Sequence, residues 1–143
     1  MSTLLHPRLP LAADETALSW ATRLAAMHTG ARVPGFLRDV GIEADAFLRG
    51  EDAALARLAE LGGEPEDRVT AAAIRRTADG LLSLGDQRFS QGFTTDPATV
   101  FSPHCLMEDE AAGGAPAVAR RGRLNWKLRP VRVCPAHHVA LIR

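Results

Sequence analysis

The 143-residue sequence contains no tyrosine, one lysine and two cysteines, and no apolar run approaches the roughly 20 residues that span a bilayer. We therefore expect no membrane segment. The amino terminus has no basic segment followed by an apolar one, so it does not resemble a secretion signal and we expect a cytoplasmic protein. In that reducing compartment a shared metal ion or two free thiols explain Cys105 and Cys134 better than a disulfide does.

Common catalytic motifs are also missing. The sequence has no G-x-S-x-G nucleophile elbow, no phosphate-binding P-loop and no H-E-x-x-H zinc-protease motif. The acidic triplet at 108–110 is more typical of a solvated helix start than of paired catalytic carboxylates. We predict that the protein is not an enzyme. The alternative from the enzyme class is a zinc hydrolase whose metal keeps one ligand position open.

Acidic residues are absent from the last 33 positions. All 17 acids lie at or before Glu110, together with 10 arginines, which gives residues 1–110 a formal charge of −7. The remainder carries six arginines and one lysine, a charge of +7. Such an asymmetry indicates either a tail that contacts phosphate or a tail that pairs with the acidic part of its own chain.

The first hundred residues show mostly helical patterns. We predict a helix of roughly 14 residues capped by Asp14 and ending near Gly30, then a short helix over 33–41. Residues 43–84 are expected to form several more helices separated by glycines. Loops should follow Leu84, residues 111–122 should be an exposed mobile loop, and residues 124–128 are either a short strand or one face of a helix.

Residues 55–76 have the spacing of a helix-turn-helix. Ala59 is small where two helices would cross, Gly63 lies in the turn, and Val69 would face the first helix. An ordinary helical hairpin explains the same pattern, and acids at the start of its second helix would oppose DNA there. In the helix-turn-helix interpretation, the residues available to DNA on the second helix are Arg68, Arg75 and Arg76.

Two short segments near the carboxyl end have Pro with Cys and His at matching spacing, S-P-H-C and C-P-A-H. Structural zinc commonly takes ligands in such pairs, two residues apart. The first segment has Ser102 where a second thiolate would stand, and a serine hydroxyl is a poor zinc ligand. The candidate ligands are Cys105, Cys134 and His137, with His104, His138 or water in the fourth position. The alternative is a metal-free remnant packed around the two cysteines.

These segments together resemble the TniQ domain of target-selection proteins from transposons related to the mercury-resistance and CRISPR-associated types. The N-terminal part matches a Pro-led segment, a Glu-x-x-Leu-Ser-Trp motif (Glu15, Leu18, Ser19, Trp20), Arg23-Leu24-Ala25 and Phe36-Leu37. "FSPHCLMEDE" and "LNWKLRPVRVCPAHHVALI" are similar to the family's C-P-x-C-L-x-E-D, W-x-L and V-C-P-x-H motifs. Ser102 replaces the family's first cysteine, and His138 stands where the family usually has glycine.

The resemblance implies a non-enzymatic adaptor that recognises a target, binds DNA and recruits an AAA+ transposition regulator, and a transposase or an RNA-guided complex is a further possible partner. We therefore predict a mainly α fold, with a helical, helix-turn-helix-like part at 1–85 and a zinc-ribbon-like part at 86–143. Cys105, Cys134 and His137 match the family's zinc ligands.

The basic tail gains a partner from the same resemblance, namely DNA. The residues expected to contact it there are Arg120, Arg121, Arg123 and Lys127. Trp20 and Trp126 are expected to be core anchors rather than base-stacking platforms. The alternative function is a stand-alone DNA-binding or protein-interaction module that no longer serves a mobile element.

Overall fold

A computed structural model describes residues 4–94 and 100–143. Those residues combine helices with a small antiparallel sheet, so the fold is mixed and the mainly α prediction holds only in part. The helices are α1 (Ala17–His28), α2 (Val33–Asp39), α3 (Ala44–Leu48), α4 (Asp52–Gly62), α5 (Glu66–Ala71), α6 (Pro103–Ala111) and α7 (Pro116–Ala119). The strands are β1 (Arg75–Arg76), β2 (Leu82–Leu84) and β3 (Gln87–Phe89), and 3₁₀ turns cover Gln91–Phe93 and Leu124–Lys127.

The first helix begins two residues later than predicted. Its N-cap is Thr16, whose hydroxyl oxygen accepts from the Ser19 backbone N–H at 3.0 Å, so the assignment of Asp14 as the cap is wrong. The helix ends at His28, close to the predicted stop at Gly30, which has φ +68° and donates its backbone N–H to the Ala25 carbonyl. α1 is thereby fixed at both ends.

Trp20 anchors the main core, as predicted. Its side chain is fully buried among residues of α1 to α5, and its indole N–H donates to the Leu9 carbonyl at 2.7 Å. The ring lies against the backbone of Gly62 on α4, where a Cβ would stand only 2.3 Å from the indole. Glycine is required at position 62 because α1 and α4 meet there through the indole ring.

A buried polar network joins the carboxyl-terminal segment to α1. The Glu15 carboxylate is fully buried, and it accepts from the Arg23 guanidinium at 2.6 Å and from the Ser19 hydroxyl at 2.7 Å. Ser19 in turn accepts from the Gly122 N–H at 2.7 Å, and Arg23 donates to the Val118 carbonyl at 2.7 Å. The motif that opens α1 therefore attaches residues 118–122 to the helical part.

A meander of three short antiparallel strands over residues 75–89 stands where helix was predicted as far as residue 84. α5 ends at Ala71, and β2 pairs antiparallel with both β1 and β3. Gly80 and Gly85 have φ of +82° and +62°, and Gly85 opens the two-residue loop between β2 and β3. Arg75 and Arg76 accordingly lie on β1, and the prediction that they extend a second helix is wrong.

The segment at 111–122 is exposed over residues 111–117, as predicted, but it is not a loop throughout. It contains α7, which packs on α1, and it leads to Arg123, whose side chain is buried. Asp109, expected to be solvated at a helix start, lies inside α6 and is also buried. Its carboxylate accepts from Arg123 at 2.7 Å and from the Arg121 N–H at 2.9 Å. This ion pair fixes the course of the chain after α7.

A second, smaller core lies beneath α6. Cys105, Cys134 and Trp126 are buried there, and the Arg123 guanidinium lies 5.2 Å from the centre of the indole ring. Trp126 is thus a core anchor, as predicted, and residues 124–127 form a 3₁₀ turn rather than a strand. None of the helices in the described residues has both the length and the apolarity needed to cross a membrane.

Candidate metal centre

Two elements bring the three predicted ligands together. Cys105 lies in the first turn of α6. Cys134 and His137 lie in a tight loop closed by the bridge between Val133 and Ala140. Within it the Cys134 N–H donates to the Val139 carbonyl at 2.8 Å. The loop packs against the helix start, and we call the resulting set of Cys105, Cys134 and His137 the thiol–histidine cluster.

The cluster has the dimensions of one face of a tetrahedral site. The two Sγ atoms are 3.5 Å apart, and each is 3.4 Å from His137 Nδ1. Bond lengths of about 2.3 Å to sulfur and about 2.0 Å to nitrogen place the ligands of one tetrahedral zinc about 3.5–3.8 Å apart. The three atoms can therefore hold a single metal ion after shifts of only a few tenths of an ångström.

The two thiols differ in their ease of ionisation. Burial raises the pKa of the Cys105 thiol, and the neighbouring Cys134 adds to that effect. Burial opposes ionisation of Cys134 as well, but hydrogen bonds from His137 and Ser102 outweigh it and lower the pKa of the Cys134 thiol to about 6. Cys134 therefore ionises more readily than Cys105. The sulfurs are also too far apart for a disulfide, whose S–S bond is about 2.05 Å.

Ser102 occupies the place next to the cluster where the resemblance has a cysteine. Its side chain is fully buried, and its hydroxyl caps α6 by accepting from the Cys105 N–H at 3.3 Å. The same hydroxyl favours ionisation of both thiols and so acts to lower the pKa of each. Serine thus fits the local fold as a helix cap while leaving the site one strong ligand short.

Glu108 completes the cluster from behind the histidine. His137 Nε2 donates to the Glu108 carboxylate at 2.6 Å, which raises the pKa of His137 and leaves Nδ1 facing the two sulfurs. Histidines that bind metals usually have such a partner on the other ring nitrogen. Sequence reasoning missed this role, although Glu108 lies three positions after Cys105 on one helix face and could have been found by that spacing.

Neither proposed fourth histidine belongs to the cluster. The His104 side chain is exposed, with its ring centre 5.5 Å from that of His137. His138 has φ +57°, a left-handed conformation that favours glycine, and its backbone N–H donates to the Cys134 carbonyl at 2.8 Å. The loop therefore needs position 138 for its turn, which explains why glycine suits this position in the resembling motif.

Most of the cations predicted to contact DNA are paired inside the chain. The arginines at 120, 121 and 123 pair with acids of the same chain, which is the intramolecular one of the two interpretations of the basic tail. Arg76 is exposed on β1, and Lys127 is half-buried in the 3₁₀ turn. The ion pairs are Arg68–Glu64, Arg75–Asp52, Arg120–Glu110, Arg121–Asp109 and Arg123–Asp109.

Comparison with known protein families gives a match over nearly the whole chain. The TniQ family model matches residues 6–141, from the segment before α1 to the end of the loop at 133–140. No curated protein matches the chain. Because the match spans nearly the whole sequence, the chain belongs to the TniQ family, a non-catalytic adaptor family with a target-selection role in transposition.

Proposed function

We propose that this protein is a non-enzymatic adaptor that binds DNA, selects the target site in transposition and recruits an AAA+ regulator. The observation that carries the proposal is the thiol–histidine cluster, because it keeps a metal-binding geometry within a chain that the TniQ model matches almost end to end. Transposase or an RNA-guided complex would then act through the same adaptor.

We assign zinc to the cluster, held by Cys105, Cys134 and His137. Two thiolates and an imidazole are donors that zinc prefers, and their separations fit a tetrahedral ion. Bound zinc would supply a crosslink between the start of α6 and the loop at 133–140. Glu108 would orient the histidine ligand through Nε2.

A groove beside α1 offers a surface for a protein partner. An apolar groove of about 500 Å³ lies between α1, α3 and the meander, with Leu18 and Leu48 exposed in its lining and Arg76 and Lys127 also in it. Exposed apolar side chains grouped with a few cations are typical of a protein-interaction site. We propose that this groove takes part in recruiting the AAA+ regulator.

A pull-down with an AAA+ transposition regulator as bait tests the proposal. The full chain should capture the regulator, and Leu48→Glu should reduce capture at least tenfold. Met107→Glu is the matched control, because Met107 is equally exposed and lies outside the groove. Equal capture by both variants would exclude the groove. DNA binding without any capture of the regulator would favour the alternative, a stand-alone DNA-binding module.

A further inference from the structure

Three arginines near the carboxyl end carry charge that no carboxylate in the described residues neutralises. They are Arg129, Arg132 and Arg143, and all three are exposed. The other arginines of the basic tail are each paired with an acid of α6. The positive charge that the tail presents to a partner is therefore concentrated at these three arginines and not at 120–123.

The backbone brings these arginines to one place. The Leu141 N–H donates to the Arg132 carbonyl at 2.8 Å. Arg132 therefore lies beside Leu141, next to the Val133–Ala140 bridge that closes the loop at 133–140. Arg143 lies two positions after Leu141, and alternate residues of an extended chain face the same side. Arg129 is held from the neighbouring segment, because its Nε donates to the Thr94 carbonyl at 3.2 Å.

The side chains line a common pocket of about 580 Å³, which we call the arginine pocket. Its other walls are apolar, with Val131 and Leu141 among them, and no acid from residues 4–94 or 100–143 lines it. Apolar walls lower the local dielectric constant and strengthen the attraction of a guanidinium for an anion. Guanidinium groups bind phosphate oxygens through paired N–H donors, a geometry that lysine lacks.

We propose that the arginine pocket binds the phosphate backbone of DNA, an inference that rests on the proposed function. A phosphate backbone matches a lining with three guanidinium groups, because it offers several anionic groups in succession where a lone anion offers one. These contacts would be independent of base sequence and would position the adaptor on the duplex. Arg132 comes directly before the loop at 133–140 that carries Cys134 and His137, and Arg143 follows that loop. The loop therefore sets the spacing of the two arginines.

The test measures affinity of the full chain for a short labelled duplex of arbitrary sequence across a range of salt concentrations. Arg132→Gln with Arg143→Gln removes two predicted phosphate contacts, while Arg129 is kept because it also holds the Thr94 carbonyl. The matched control is Arg32→Gln with Arg38→Gln, which removes the same charge from two exposed positions around α2. Arg143→Gln alone changes only the last residue and serves as a variant whose folding is not at risk.

Each phosphate contact contributes about −0.9 to the slope of log K against log salt. We expect the double variant to flatten that slope by about 1.8, the single variant by about 0.9, and the control pair to leave it close to wild type. Equal losses in the double variant and the control pair would overturn the proposal, because net charge alone would then explain them.

The remaining outcomes separate the pocket from the proposed function. Wild-type binding that the double variant leaves unchanged overturns the pocket and leaves the adaptor role intact. Failure of the wild-type chain to bind any duplex overturns both the pocket and the DNA-binding part of that role. Loss of AAA+ capture in the double variant with unchanged DNA binding would assign the pocket to a protein and also overturn the inference.

Discussion

Replacing Asp109 with Asn should destabilise the protein strongly, since it removes one half of a buried ion pair. The Asp109 and Arg123 side chains are 3% and 8% exposed, and two hydrogen bonds join the carboxylate to the guanidinium. Removing one partner of such a pair leaves an uncompensated buried charge and costs about 3–5 kcal/mol. At about 3 °C per kcal/mol for a chain of this size, the melting temperature should fall by about 9–15 °C.

The control for this prediction is Glu60→Gln. Glu60 pairs with Arg57 at 3.3 Å on the surface of α4, and its side chain is 63% exposed. Exposed pairs contribute at most about 1 kcal/mol, so the control should lower the melting temperature by no more than about 3 °C. A second variant, Asp109→Leu with Arg123→Met, should recover most of the loss because it leaves no unpaired charge.

The pH dependence of the same variant gives an independent check. Burial opposes ionisation of Asp109, but its bonds to Arg123 and Arg121 outweigh that and lower the carboxyl pKa below its ordinary value of 3.8. A lowered folded-state pKa contributes stability that is present above pH 3.8 and is lost as the pH falls through the folded value. The gap between wild type and Asp109→Asn, followed by urea unfolding, should therefore be constant near neutrality and narrow in acid. A gap below 1 kcal/mol at pH 7 would refute the account of the ion pair.

Three further substitutions test local packing and the metal loop. Gly62→Ala should cost about 1–3 kcal/mol in urea unfolding because the new methyl collides with the Trp20 ring, whereas Gly92→Ala meets nothing closer than 3.9 Å and should change little. His138→Gly should stabilise the metal-loaded protein by about 1 kcal/mol by relieving a positive φ, and a lower midpoint would contradict that reading. Glu108→Gln should weaken zinc binding about 10- to 100-fold in a chelator competition, and unchanged affinity would show that the carboxylate does not orient the histidine ligand.

The sequence was most informative where a pattern has one structural solution. The apolar spacing and the glycine stop of α1 fixed the helix, and both tryptophans are core anchors. The cluster was also predictable, because Cys-Pro-x-His spacing in one segment needs a ligand from the other. The fourth ligand was not predictable. His138 was one candidate, but it adopts φ +57° in a turn that depends on the loop's own hydrogen bonds.

The sequence misled where tertiary contacts decide the outcome. Residues 75–84 carry helix formers and the residues after Leu84 were expected to be loops, yet the turns at Gly80 and Gly85 bring residues 75–89 into a meander. The Asp79-Gly80 dipeptide between apolar segments was the signal that could have shown this. Asp109 and Arg123 look like surface charges in the sequence, and only their proximity in the fold allows both to be buried.

Zinc content per chain tests the central claim most directly. The full chain, purified without added zinc, would be analysed beside Cys134→Ser and Ser102→Cys. The account predicts about one zinc per chain in wild type, loss of that zinc in Cys134→Ser, and tighter retention against a chelator in Ser102→Cys, which adds a third thiolate as the fourth ligand. Wild-type protein that melts cooperatively without zinc, and that gains none from Ser102→Cys, would contradict a metal-organised adaptor.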